Sequence, residues 1–97
     1  MHVAMVEGRA VGYSVVAPRF FGAPFLALVY VDPGMRGRGI GSRLLEDFEK
    51  AHGVQVFTST NLSNAAMQRL LRLRRWTPCG MLGLDEGDPE IFFAEVL

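Results

Sequence analysis

The segment RGRGIGSRLL, residues 36–45, constrains the fold of this chain more than any other stretch. Gly37, Gly39 and Gly41 alternate with Arg and Ile, between an apolar run at 25–31 and the start of an amphipathic run. A strand, a glycine turn and a helix in this order are typical of a site for anionic oxygens, because free N–H groups and the helix dipole converge there. The segment predicts a phosphate or pyrophosphate site, against the alternative of a tight strand-to-helix turn.

Two common nucleotide-binding loops do not fit this segment. The dinucleotide fingerprint G-x-G-x-x-G, started at Gly37, requires glycine at position 42, where the chain has Ser42. The P-loop requires Gly-Lys-Ser/Thr, a triplet that the sequence lacks. The pattern that fits is Arg/Gln-x-x-Gly-x-Gly/Ala, with Arg36, Gly39 and Gly41 at its fixed positions.

Hydrophobic periodicity predicts six strands and two helices. The strands are predicted on both sides of the turn at 7–9, at 25–31, at 54–60, and in a closing hairpin, CGMLGLD and EIFFAEV, across the turn at 86–89. The helices are predicted at about 41–52, stopped by Gly53, and at about 65–75, capped by Asn61, Ser63 or Asn64. The order β-β-β-α-β-α-β-β predicts a mixed α/β sheet, with a central parallel pair flanked by antiparallel strands. We expect a single domain over residues 1–97.

The same pattern predicts which side chains are buried. The run FLALVYV at 25–31 is almost wholly apolar, which is typical of a central strand buried on both faces. Apolar side chains at helical spacing predict one buried stripe on each helix. These stripes comprise Ile40, Leu44, Leu45, Phe48 and Ala51 on the first helix, and Met67, Leu70 and Leu71 with Ala66 or Leu73 on the second.

Composition argues against several classes of protein. The chain carries ten basic and ten acidic side chains, so its bulk charge does not favour nucleic acid as a partner. Cys79 is the single cysteine, and His2 and His52 lie far apart, so we expect neither a disulfide nor a metal. No apolar run reaches the roughly 18 residues of a membrane span, and the start lacks the basic region of a signal peptide. We therefore expect a cytoplasmic protein without a membrane partner.

A longer signature surrounds the glycine segment. It reads LVYVDPGMRGRGIGSRLL at residues 28–45, with Val31-x-Pro33 before the loop and Leu44-Leu45 after it. This signature resembles the acyl-CoA-binding motif of the GNAT superfamily of N-acetyltransferases. The element order is also similar, and the segment 64–66, Asn-Ala-Ala, is similar to the family's second cofactor-binding segment. The resemblance covers about residues 3–97 and implies an acyl-CoA N-acyltransferase fold, acetyl-CoA as co-substrate and an amine as acceptor.

The resemblance also implies a set of cofactor-binding residues. Two splayed parallel strands would admit the pantetheine arm, which would pair with backbone groups at Val29 and Val31. Asn64 would contact the cofactor, although its pattern fits equally well a plain helix N-cap. Backbone N–H groups would hold the pyrophosphate, with charge added by an arginine side chain; these groups belong to Arg36, Gly37, Arg38, Gly39, Ile40, Gly41 and Ser42.

The sequence departs from the family pattern at the positions of the catalytic acid and base. In such enzymes the amine attacks the thioester directly, and many relatives carry a tyrosine acid at the position held here by Leu71. The usual Leu-Gly-Phe after that helix is replaced by residues 74–76, Arg-Arg-Trp. The central strand has no Glu or Asp, and its Tyr30, as a phenol, is a poor base. Aromatic packing is favoured for Tyr30, with a role as acid or in a water relay as the weaker alternative. Cys79 has no histidine partner, which favours a buried thiol over a nucleophile.

The family's opening strand and two helices have no counterpart in this sequence. A truncated chain and an acceptor pocket completed by a second subunit are both compatible with this difference. Since an uncovered sheet face or edge tends to associate, we expect a homodimer.

Three functions are compatible with these features. The first is an N-acetyltransferase that moves an acetyl group from acetyl-CoA to an amine of a small molecule or protein. The second is a catalytically weak acyl-CoA-binding or dimerisation module with an incomplete acceptor site. The third, nucleic-acid binding, rests only on the arginine cluster Arg69, Arg72, Arg74 and Arg75.

Overall fold

A computed structural model describes residues 1–52, 55–83 and 87–96, with residues 18 and 19 described by their backbone alone. It shows a six-stranded mixed sheet in the order β1-β2-β3-β4-β6-β5, with two helices. The elements are β1 (His2–Val6), β2 (Arg9–Phe20), β3 (Ala23–Val31), α1 (Ile40–His52), β4 (Gln55–Asn61), α2 (Ala65–Leu73), β5 (Thr77–Leu82) and β6 (Glu90–Val96). The predicted order and mixed α/β class are confirmed; a short 3-10 helix, Pro33–Met35, was not predicted.

Both helices cover the same face of the sheet. The strands β3 and β4 run parallel, and the other neighbouring strands that are described run antiparallel. The crossovers from β3 through α1 to β4, and from β4 through α2 to β5, proceed in the same direction across the sheet, which places the two helices together. One core cluster therefore contains side chains from both helices and from the sheet: Leu26, Leu45, Phe48, Val56, Leu71, Trp76 and Phe93.

The helical stripes are confirmed at their centres and wrong at their ends. Leu44, Leu45 and Phe48 of α1 are buried, as is Leu71 of α2. The predicted stripe positions near the helix ends, Ala51, Ala66 and Leu73, are exposed. The predicted stop at residue 53 lies outside the described residues, as do parts of the predicted turn at 86–89.

The second helix ends two residues earlier than predicted. Arg75 has a φ of +70°, which breaks the helical backbone after Leu73. The Trp76 N–H then donates to the Leu71 carbonyl at 2.9 Å, the hydrogen bond of a Schellman-type helix end. This turn directs Trp76 into the core, where its side chain is buried.

The opposite sheet face is apolar and has no helix over it among the described residues. The rings of Phe20, Phe25, Phe57 and Phe92 contact one another on this face, with centroids between 4.7 and 6.1 Å apart. The prediction that β3 is buried on both faces is therefore wrong, since Leu28 is 45% and Tyr30 36% exposed there. The predicted burial of Cys79 is also wrong, because β5 is an edge strand whose residues are all exposed.

No helix within the described residues has the length and apolar character that crossing a membrane requires.

Candidate active site

The parallel strands β3 and β4 separate after two residue pairs. Phe25 pairs with Phe57 and Leu26 with Thr58, and no further pair joins these strands within the described residues. At the last pair, the buried Thr58 hydroxyl donates to the Leu26 carbonyl at 2.8 Å. Beyond it, β3 stays paired with β2 as far as Val31, while β4 stays paired with β6 to its end. A gap therefore opens through the middle of the sheet.

A bulge in β3 sets which side chains face this gap. In the pairing with β2, Leu26 and Leu28 follow one another opposite consecutive residues, so Ala27 is the extra residue. As a result Val29 packs against the core on the helix face, together with Leu26, although three positions separate them. Leu28 and Tyr30 lie exposed on the opposite face.

Two adjoining cavities occupy the gap. The cavity that we call the loop cavity, of about 310 Å³, is lined by Val29, Tyr30, Val31, Arg36, Gly41, Asn64, Ala66, Met67 and Leu70. The cavity that we call the gap cavity, of about 210 Å³, is lined by Leu26, Ala27, Leu28, Val29, Thr58, Ser59, Thr60, Asn61, Asn64, Met67 and Glu90. They share Val29, Asn64 and Met67, so the two cavities adjoin between the glycine loop and the gap in the sheet.

The glycine loop presents backbone donors beside the loop cavity. Gly37 and Gly39 have φ angles of +77° and +80°, which a side chain would strain. The Gly39 carbonyl accepts the first helical bond of α1, from the Arg43 N–H at 3.0 Å. Helix geometry leaves the N–H groups of Ile40, Gly41 and the following Ser42 without an intrahelical acceptor. These donors and the positive end of the α1 dipole can bind an anion.

The two loop arginines occupy different positions. The Arg36 Nε donates to the Val31 carbonyl at 3.0 Å, and its guanidinium lies 5.9 Å from the centroid of the Tyr30 ring. Arg36 therefore lines the loop cavity at the end of β3. Arg38 is exposed and lines neither cavity. The Arg74 Nη1 donates to the Ser42 hydroxyl at 3.4 Å. The backbone N–H of Ser42 is therefore the group that it can contribute to the glycine loop.

Asn64 lies where the two cavities meet. Its Oδ1 accepts from the Met67 N–H at 3.1 Å, which confirms its role as N-cap of α2. Because it also lines both cavities, capping fixes its side chain beside the gap. Leu71, at the position of the tyrosine acid in many relatives, is fully buried in the core and lines neither cavity.

Glu90 lines the gap cavity, a position that was not predicted from the sequence. Glu90 begins β6 and pairs with Asn61 at the end of β4. Its carboxylate accepts from the Ser59 hydroxyl at 2.8 Å and from the Asn61 amide at 3.1 Å. Among the described residues that line the two cavities, Glu90 alone carries a carboxylate. The pairing of Asn61 with Glu90 spans 29 positions, so no local pattern could have revealed it.

The remaining candidate side chains, Tyr30 and the clustered arginines, contact other side chains of the fold. Tyr30 packs its ring 5.4 Å from that of Tyr13 and beside Arg36, as expected for a packing aromatic. Of the clustered arginines, Arg74 binds Glu49 and Arg72 lies 5.8 Å from the centroid of the Phe93 ring, so the cluster is not one free basic surface.

Behind the site, a charged cluster joins α1 to the end of α2 and to β6. Glu49 accepts from Arg74 and, at 2.9 Å, from the Trp76 indole N–H. Burial opposes ionisation of Glu49, but these hydrogen bonds and the neighbouring Glu95 outweigh it and lower its pKa. Burial and the adjacent Glu49 raise the pKa of Glu95 to about 7.

Comparison with known proteins identifies the family. Residues 1–72 match the acetyltransferase (GNAT) domain family. A GNAT-family acetyltransferase from Bacillus cereus superposes with a TM-score of 0.84 at 33% identity, over 97% of this chain and 68% of that protein. A ribosomal-protein-alanine N-acetyltransferase from Brucella melitensis superposes with a TM-score of 0.78 at 27% identity, over 98% of this chain and 67% of that protein.

A third structure shares the fold at lower identity. It is an aminoglycoside 6'-N-acetyltransferase complexed with coenzyme A, with a TM-score of 0.78 and 17% identity, over 97% of this chain and 70% of that protein. The chain thus spans about two thirds of the length of these three structures. No curated protein sequence matches it. The matched domain and the sheet order together show that the chain belongs to the GNAT family of acetyltransferases.

Proposed function

We propose that this chain transfers an acetyl group from acetyl-CoA to an amine by direct attack on the thioester. The observation that carries this proposal is the gap between β3 and β4, which leads from the glycine loop on the helix face to the opposite face of the sheet. Such a gap lets two reactants meet from two sides while the strands hold their geometry.

Acetyl-CoA would lie on the helix side of the gap. The backbone N–H groups from Arg36 to Ser42 would hold the pyrophosphate, since three of them lack intrahelical acceptors and the helix dipole favours the anion. The backbone at Val29 and Val31, which has no β4 partner among the described residues, would pair with the pantetheine arm. Asn64, fixed by its capping bond, would contact the arm where the cavities meet.

The end of β3 would orient the reacting carbonyl. An N–H group near Val31 would donate to the thioester oxygen and stabilise the charge that develops there during attack. Tyr30, which lines the loop cavity, would be the weaker candidate for the acid that protonates the leaving sulfur. Arg36 stabilises this strand end through its bond to the Val31 carbonyl.

The acceptor would approach from the face that no described helix covers. Its amine belongs to a small molecule or a protein, the two acceptor classes named for the aminoglycoside and ribosomal-protein enzymes. We also propose that residues 1–97 form one domain and that a second copy packs on the half-buried phenylalanine cluster of this face, beside the gap, where it would complete the acceptor pocket and leave the gap open. Sedimentation equilibrium at increasing concentration tests the dimer, and a monomer throughout would contradict it.

Calorimetric titration with acetyl-CoA tests the cofactor site. The added Cβ of Gly41→Val would stand 3.7 Å from Leu70 and 3.9 Å from Val31, so the valine methyl groups would fill the mouth of the loop cavity. We expect saturable binding to the wild type and at least about tenfold weaker binding to the variant, a loss of about 1.4 kcal/mol. Gly34→Ala is the matched control, since a Cβ at Gly34 meets nothing within 4 Å and lies outside both cavities.

The alternative is a catalytically weak acyl-CoA-binding or dimerisation module, suggested by Leu71 and the acid-free central strand. Release of coenzyme A thiol, measured with a peptide that begins with alanine, an aminoglycoside with a 6'-amine and a simple alkylamine, decides between the two. Acetyl-CoA binding without turnover on these amines would favour the module.

A further inference from the structure

We infer that Glu90 is the catalytic base that takes a proton from the acceptor amine, an inference that rests on the proposed acetyltransferase function. Glu90 lines the gap cavity, where its carboxylate is held by the Ser59 hydroxyl and the Asn61 amide. Both donors belong to β4, so they fix a side chain of β6 across the end of the gap.

Strand alternation places Glu90 on the side of the acceptor. Ile91 and Phe93 of β6 pack into the core beneath the helices, so Glu90 and Phe92 face the opposite side of the sheet. In β4, Val56 and Thr58 are buried toward the helices, while Phe57, Ser59 and Asn61 alternate with them. The glycine loop donors and Glu90 therefore stand at opposite ends of the two adjoining cavities, the donors at the helix face and the carboxylate at the other face.

The reaction requires a proton acceptor at that end. An alkylamine is mostly protonated at neutral pH and has no free electron pair for attack until it loses a proton. Glu90 takes this proton from the ammonium, which becomes a neutral amine while the carboxylate becomes a carboxylic acid. The nitrogen then attacks the thioester carbon, the C–N bond forms, and the C–S bond breaks with its electron pair on sulfur. The second N–H proton reaches the sulfur through solvent to give the thiol, and Glu90 returns its proton to solvent.

No other described carboxylate occupies this position. Asp88 accepts from the backbone N–H and the hydroxyl of Ser63 at the start of α2, and it lines neither cavity. Glu49 and Glu95 lie on the helix side, engaged with Arg74 or with each other.

The test compares Glu90→Gln with the wild type on two amines of similar size. Ethylamine is largely protonated at neutral pH, whereas 2,2,2-trifluoroethylamine is largely neutral and needs no removal of the first proton. The glutamine retains an oxygen that accepts from Asn61 and an amide that donates to Ser59, so the fold and the titration with acetyl-CoA should be unchanged. Thiol release at saturating acetyl-CoA gives kcat/KM for each amine. Glu46→Gln is the control, since Glu46 pairs with Lys50 on the surface of α1.

We expect Glu90→Gln to lower kcat/KM for ethylamine by about a hundredfold or more, and that for trifluoroethylamine by much less. Equal losses on both amines would assign Glu90 a purely structural role and overturn the inference. Turnover of both amines at the wild-type rate would also overturn it, while leaving the proposed function intact. Absence of turnover by wild type and variant alike would contradict the proposed function itself, and the inference would fall with it.

Discussion

At position 75 the chain has an arginine where the backbone adopts a left-handed conformation, with a φ of +70°. A side chain in this conformation crowds the following carbonyl, at a cost of roughly 1–2 kcal/mol, and glycine avoids this cost. We predict that Arg75→Gly raises the free energy of unfolding by about 1 kcal/mol, because the helix end needs this conformation for the bond from Trp76 to Leu71. Urea denaturation measures the change.

The control for this prediction is the same substitution inside the helix. Arg69→Gly lies in the exposed interior of α2, where glycine lowers the free energy of unfolding by about 1 kcal/mol. The two changes should therefore have opposite signs. A destabilised Arg75→Gly would contradict the assignment of residue 75 as a strained helix end.

Single residues were predictable wherever their role is local. The glycine spacing at 37 and 39 placed a glycine loop between strand and helix, and Asn64 was predicted as an N-cap, because turns and caps depend on a few neighbouring residues. Glu90 was missed because its position depends on a strand pairing with Asn61. The burial predicted for Cys79 was wrong. A cysteine in a strand indicates burial only if that strand has neighbouring strands on both sides, and β5 is an edge strand.

At the level of elements, the separation of β3 from β4 begins at Thr58. We predict that Thr58→Val lowers the free energy of unfolding by about 1 kcal/mol, because it removes a buried hydrogen bond to the Leu26 carbonyl while preserving shape. Chemical denaturation measures the change. Thr77→Val, on the exposed edge strand β5, is the matched control and should change stability by no more than about 0.5 kcal/mol. Identical behaviour of the two variants would show that this hydroxyl does not stabilise the last strand pair.

The order of the elements was predictable, but the covering of the sheet was not. Alternating and helical periodicities act over short windows, so they gave the six strands and both helices in the correct order. The apolar run of β3 predicted two buried faces, yet Leu28 and Tyr30 are exposed. The hydrophobicity of a strand indicates that both sheet faces favour burial. Whether a face is buried depends on which side of the sheet the helices pack. The bulge at Ala27, which sets the side chains that face the gap, likewise depends on pairing with β2.

At the level of the whole molecule, Glu49 and Glu95 connect α1, the end of α2 and the last strand. Burial and the neighbouring Glu49 raise the pKa of Glu95 from its ordinary value of 4.5 to about 7. Oε1 of Glu95 is buried, and no described residue donates a hydrogen bond to it. A carboxyl whose pKa is higher in the folded state binds its proton more tightly there, so it stabilises the fold at low pH. This stabilisation is lost as pH rises from 4.5 through about 7.

We therefore predict that Glu95→Gln alters how stability depends on pH. The wild type should lose stability between pH 4.5 and about 7, because Glu95 must then ionise beside Glu49 in a buried position. The neutral amide of the variant does not ionise, so that loss should disappear and the variant should unfold at a higher temperature than the wild type at alkaline pH. Thermal unfolding followed by circular dichroism across this pH range measures both curves. Glu46→Gln, at the surface pair with Lys50, is the control and should follow the wild type. Parallel curves for wild type and Glu95→Gln would show that Glu95 titrates equally in the folded and unfolded states.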